Sequence, residues 1–114
     1  MPLLKIIKLT LQNGVVVPED HAGDSERALT RGGLSEVERG QTVEFAGDQS
    51  FQDWSVHFLG TSPFEGTLVV HCGDPARVIS ASAPSATFVY DCRVRDEGGV
   101  EHESKGGGRM QIVP

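Results

Sequence analysis

In the segment TFVYDCRVR, residues 87–95, every second residue is apolar: Phe88, Tyr90, Cys92 and Val94 fall on one side, with Val89, Asp91, Arg93 and Arg95 on the other. A period of two belongs to an extended chain with one face on a core and the other largely toward water, and no helix satisfies it. WSVHF, residues 54–58, repeats the pattern, with Trp54, Val56 and Phe58 on one face and Ser55 and His57 on the other. The pleat therefore predicts Cys92 inward and His57 outward. A one-residue slip would bring His57 in only by turning three large apolar side chains out, at about 1.5–3 kcal/mol each.

Elsewhere 14 glycines and 6 prolines cut the chain into short apolar runs, and good helix formers never recur at helical spacing for long. Strands are predicted over 4–11, 15–17, 34–38, 42–46, 54–59, 67–71, 77–80, 87–95 and 109–113. DSERALTRGG, residues 24–33, departs from this: a capping residue, an acidic first turn, Ala28, Leu29 and a Gly stop suit one short helix or an ordered loop. EGG at 97–99 and KGGG at 105–108 bracket what reads as a flexible loop before the last strand. The expected fold class is an all-β sandwich of seven to nine strands with at most one short helix.

A chain of 114 residues buries one core, so a single domain over 1–114 is expected. Ten Lys and Arg against sixteen Asp and Glu leave a net charge of −6 and no basic patch to displace counterions from a phosphate backbone, which argues against nucleic acid as a partner. An acidic surface serves solubility or steers a cationic partner. No apolar run is long enough to span a bilayer, and Lys5 and Lys8 interrupt the opening MPLLKIIKLTLQ, so neither a membrane role nor a secretory leader is read there. The cytoplasm is the default compartment. The periplasm or the exterior is the alternative if a longer natural chain carries an export signal. Two cysteines do not make a disulfide framework.

The order of motifs carries a family likeness. VERGQTVEF at 37–45 is a strand, a Gly turn and a strand; DWSVHFLG at 53–60 and TSPF at 61–64 follow; APSATFVYDC at 83–92 leads to a final MQIV at 110–113. From about residue 34 to 113 this resembles the cupredoxin family, the Greek-key sandwiches best known from small blue copper proteins. The resemblance implies a cupredoxin-like Greek-key fold and asks whether a copper centre of two imidazoles, a thiolate and a weak axial Met is present. Tyr90-Asp91-Cys92 matches the family's aromatic-x-Cys strand, which places Cys92 where the thiolate ligand stands. With Phe58 as the apolar residue four positions beyond the family's first histidine, Trp54 falls at that histidine's place. The metal ligands implied under a copper reading are then Cys92, His57, His102 and Met110. The segment 96–108 is longer than the family's ligand loop.

Cys92 itself has three readings: a small buried hydrophobe beside Phe88, Tyr90 and Val94, a metal thiolate, or half of a disulfide with Cys72. A bond closing that loop would add about 3 kcal/mol. His71 and Cys72, being adjacent, cannot both point inward from one strand. His21 lies among Glu19, Asp20 and Asp24, a solvated acidic turn or a set of oxygen ligands for a hard cation, with no EF-hand spacing. No nucleophile elbow, HExxH or Walker-type glycine run occurs, so no catalytic or cofactor-binding residue is assigned and an enzyme is not expected. The first functional expectation is a cupredoxin-like sandwich without an intact type 1 copper site. It would act as a binding or protein-interaction module, alone or as a homo-oligomer, toward a protein or small ligand. Its contact surface is expected in three loops at one end, 47–53, 61–66 and 96–108. The second, from a different class, is a copper-binding electron carrier built on the four ligands named above.

Overall fold

The computed structural model describes residues 4–22, 25–26, 34–64 and 66–112. Their ten strands are β1 (Lys5–Gln12), β2 (Val15–Ala22), β3 (Ser25–Glu26), β4 (Leu34–Val37), β5 (Thr42–Gly47), β6 (Asp53–Phe58), β7 (Val69–His71), β8 (Arg77–Val78), β9 (Thr87–Arg95) and β10 (Glu101–Ile112). No helix occurs among the described residues, and none there is long and apolar enough to cross a membrane. The segment 24–33 lies outside the described residues except for Ser25 and Glu26, which pair with the end of β2.

The strands form two mixed sheets, ordered β3-β2-β1-β5-β8 and β4-β10-β9-β6-β7. β1 runs parallel to β5, and β10 parallel to β4; all other pairings are antiparallel. The two sheets share one apolar core. Ile7, Leu9, Val16, Val43 and Phe45 enter it from the first sheet, and Trp54, Val56, Phe58, Tyr90, Cys92 and Met110 from the second. Its centre is aromatic: Phe45 meets Phe58, Phe64 and Tyr90 edge-on at centroid separations of 6.4, 6.4 and 5.7 Å. Lys5 also points inward, lays its methylenes along the core, and donates from Nζ to the Glu36 carbonyl at 2.6 Å, tying the first sheet to β4.

Local chemistry explains the boundaries. Asn13 and Gly14 join β1 to β2 with φ of 54° and 77°, the paired positive values that a two-residue hairpin turn requires and that Asn-Gly adopts cheaply. β2 continues past the predicted 15–17 and through Pro18. It can do so because, among the described residues, only β1 flanks it there, so the missing N–H faces away from the ladder.

The largest departure from expectation is at 96–108, which is not a loop. The turn is confined to 96–100, and β10 begins at Glu101 rather than 109. Asp96 makes this possible: its Oδ1 accepts from the Gly98 and Val100 N–H groups, each at 2.9 Å, and its own N–H donates to the Val100 carbonyl at 2.9 Å. The glycine run then lies inside β10, where the register to β9 shifts between Ser104 and Gly108 as a β-bulge. Gly108 has a packing reason to be there, because the Tyr90 ring lies against its Cα.

Candidate functional site

The pleat sorts the second sheet into two chemically distinct faces. Inward go Trp54, Val56 and Phe58 from β6 and Phe88, Tyr90, Cys92 and Val94 from β9, as the alternation predicts. Outward, register assembles polar rows across three strands. Asp53, Arg95 and Glu101 form one row, and Ser55, Arg93 and Glu103 the next. His57 and Asp91 stand opposite each other in the third row, and His71 on β7 is opposite Ser55.

The first two rows line a half-open cleft of about 230 Å³ that also includes Trp54, Val94 and His102. Since the Trp54 and Val94 side chains point into the core, their contribution to the outer surface is backbone, and the walls are the charged side chains. Arg93 Nε lies 3.4 Å from Glu103 Oε1 and Arg95 Nη2 lies 3.3 Å from Glu101 Oε1. All four side chains are about half exposed or more, so each pair contributes about 0.2–1 kcal/mol to folding. Their larger consequence is to hold guanidinium and carboxylate groups at the cleft in defined positions.

Ser55 Oγ and His57 Nε2 are 2.8 Å apart on the same face of β6. Partial burial holds the His57 pKa below its ordinary value, with the Arg93 and His71 charges adding to the effect against Asp91 and Glu103. A neutral ring can accept the Ser55 hydroxyl. Beyond β7, Asp74 accepts from the His71 N–H at 2.9 Å and pairs with Arg77 at 3.6 Å, and the backbone bond holds its carboxyl below the usual range.

At the end of the sheet, His102 is turned to the inward side, level with Val94. Its Nε2 lies 2.8 Å from Asp96 Oδ2 and its Nδ1 lies 3.2 Å from the Gly14 carbonyl oxygen. It is therefore not the freely solvated imidazole of a loop that its Glu-His-Glu surroundings suggest.

The residues implied as copper ligands occupy four different settings. Cys92 is fully buried between Val56 on β6 and Ser104 on β10. Burial, with a smaller contribution from Asp91, pushes its thiol up to about 12, whereas a metal takes the thiolate. Met110 is buried opposite Phe88, four residues along β9 from Cys92, a span of about 13 Å. His57 lies on the opposite face of the sheet from the thiol, and His102 has both nitrogens engaged. As placed, these four do not fit a copper centre. Trp54, 7% exposed, fills the inward position to which the resemblance assigns the first imidazole. Among the described residues no three His, Cys, Asp or Glu side chains gather as metal ligands. Cys72 and Cys92 are both free thiols, the first exposed and the second buried, so the disulfide reading does not hold. The backbone of His21 lies in β2, and its side chain is outside the described residues.

The three loops expected at one end divide between two. The 47–53 connection meets the 96–100 turn, where the Gln52 N–H donates to the Arg95 carbonyl at 2.9 Å and Gln52 Nε2 to the Glu97 carbonyl at 3.0 Å. Residues 61–66 follow the other end of β6, where the Leu59 N–H donates to the Val89 carbonyl at 3.0 Å. A single strand has its two connections at opposite ends, and β6 separates these loops. The reading by sequence also missed the charge ladder. Its signal is present: Arg93-x-Arg95 and Glu101-x-Glu103 are mirror images about a Gly-Gly turn, as strands of one hairpin must be.

Compared with known proteins, the chain matches no protein-family model and no curated protein.

Proposed function

We propose that this chain is a cupredoxin-like Greek-key sandwich that works without a type 1 copper centre, as a binding module presenting the outer face of its second sheet to a protein partner. The topology supports the fold assignment: after β7 the chain crosses to β8 in the opposite sheet and returns as β9 beside β6, the long return connection of a Greek key. The observation that carries the functional reading is the charged cleft on β6, β9 and β10, set against a thiol and a thioether sealed in the core. The Cys92 thiol and the Met110 thioether are withdrawn from the surface, while groups that recognise charge are displayed on rigid strands.

Three carboxylates, Asp53, Glu101 and Glu103, against two guanidinium groups give the cleft an acidic balance in a chain of net charge −6. That balance suits a basic segment of a partner, bound with marked salt dependence. The test is affinity capture with the wild-type chain, quantified against Glu101→Lys/Glu103→Lys, followed by binding of the purified partner to both at low and high salt. A partner lost in the variant and weakened by salt supports the assignment, whereas equal binding to both proteins moves the contact elsewhere. Stoichiometric copper in untagged protein, with an intense blue thiolate-to-copper band that disappears in Cys92→Ser, would replace the module with an electron carrier.

A further inference from the structure

The ring of His102 joins two turns that belong to different sheets. Asp96 opens the turn between β9 and β10 in the second sheet, and Gly14 lies in the Asn13-Gly14 turn between β1 and β2 in the first. Both partner atoms are acceptors: a carboxylate oxygen at 2.8 Å from Nε2 and a carbonyl oxygen at 3.2 Å from Nδ1. A neutral imidazole carries one N–H and can serve only one of them, leaving the lone pair of its other nitrogen directed at an oxygen. Only the imidazolium, a donor at both nitrogens, satisfies the two together. We infer that His102 is a proton-dependent clamp, closing this end of the sandwich when protonated and releasing the β1–β2 turn when neutral.

The surrounding charges fit that role. Among the described residues Asp96 is the one carboxylate bonded to the ring, and its other oxygen is already occupied by the Gly98 and Val100 N–H groups, so it is held in place to receive the proton-bearing nitrogen. Glu101 and Glu103 flank His102 on β10 but point to the outer face, where they pair with Arg95 and Arg93 of β9. Asp53 lies beyond them on β6. From the first sheet the ring meets the Asn13-Gly14 turn, which carries no ionisable side chain. The hydrogen bond to Asp96 raises the His102 pKa and lowers that of Asp96, so each group favours the other's charged form.

On deprotonation the ring keeps its stronger partner, donating from Nε2 to the carboxylate, and the bond to Gly14 is lost. The clamp is independent of what the sandwich binds. Its test is a proton and nitrogen NMR titration of the full chain from pH 5 to 9. The expected result is a His102 midpoint above the value of about 6.5 for a free histidine, with the same midpoint in the backbone amides of Asn13, Gly14 and Val15. In Asp96→Asn both sets of signals should move to a lower midpoint together, and in His102→Gln the turn signals should lose that transition. A His102 midpoint at or below that of a free histidine, or turn amides that do not move with it in the wild-type chain, would overturn the inference.

Discussion

Replacing Gly108 by Ala isolates one packing relation. In an extended strand, Gly→Ala ordinarily stabilises by about 0.4–1 kcal/mol, because alanine has less conformational freedom to lose. At residue 108 the added methyl falls on three carbons of the Tyr90 ring. Backbone on one side and neighbouring rings on the other limit any relief: Tyr90 is fully buried, edge-on to Phe45 at 5.7 Å and tilted against Phe58 at 5.1 Å. The strand must draw away from β9 or the ring must leave its site, and overpacking of this kind costs about 1–3 kcal/mol, with aromatic contacts worth about 0.5–1.5 kcal/mol each also at risk. The net expectation is a loss of about 2–3 kcal/mol, a large part of a stability that for such domains is about 5–15 kcal/mol. Urea unfolding followed by the fluorescence of Trp54, the single tryptophan, reads this directly. With a slope of about 1.5 kcal/mol per molar urea, the midpoint should fall by about 1.3–2 M. In Gly108→Ala/Tyr90→Leu, where the ring is gone, the penalty of the methyl should largely disappear, so the two changes combine to less than their sum. An unchanged or higher midpoint in Gly108→Ala would mean that the Tyr90 ring does not press on residue 108.

The same logic applies at Gly47, where an added methyl would come within 2.6 Å of Trp54 Nε1, so Gly47→Ala should destabilise by about 1–3 kcal/mol and change the Trp54 emission. A thiol reagent should modify one cysteine per native chain, Cys72, and two in denaturant; rapid native labelling of Cys92 would contradict its burial. Cys92→Ser places a hydroxyl in an apolar site and should cost about 1–3 kcal/mol in urea unfolding, more than Cys92→Ala where cavity relaxation is good. Arg95→Gln should cost less than about 1 kcal/mol, since its ion pair with Glu101 is exposed. Two histidines should influence stability with opposite sign. His102, raised in the fold, stabilises fully below about pH 6.5 and loses that contribution as pH rises through its folded value. His57, lowered in the fold, stabilises above about pH 6.5 and loses it as pH falls. The stability gap between wild type and His102→Gln should thus narrow with rising pH, while that between wild type and His57→Asn widens. A gap that moves the other way with pH would contradict the assignment of that histidine.

Much of the β architecture was legible because it rests on period. Alternation in 54–58 and 87–95 fixes which side of each strand is apolar, and the resulting inward Trp54 and Cys92 and outward His57 appear as read. Strand ends were legible where a turn has local chemistry, as around Gln41 and Thr42. They were misread where composition and context conflict. Lys105 and the three glycines after it have the makeup of a loop, yet pairing to β9 and the Tyr90 ring against Gly108 hold that stretch in a strand. Likewise Pro18 argues locally against a strand, and it is admitted because, among the described residues, β2 is paired at that point on one side alone, to β1.

The side chains around the cleft and the clamp follow the same division. Sequence alone determined which residues can share a face, because every second Cβ along an extended chain points the same way. Which strand lies beside which, and in what register, depends on contacts between residues far apart in the chain. Arg95 therefore meets Glu101, and His102 finds both Asp96 and a carbonyl 88 residues away, only once the two sheets have closed on each other.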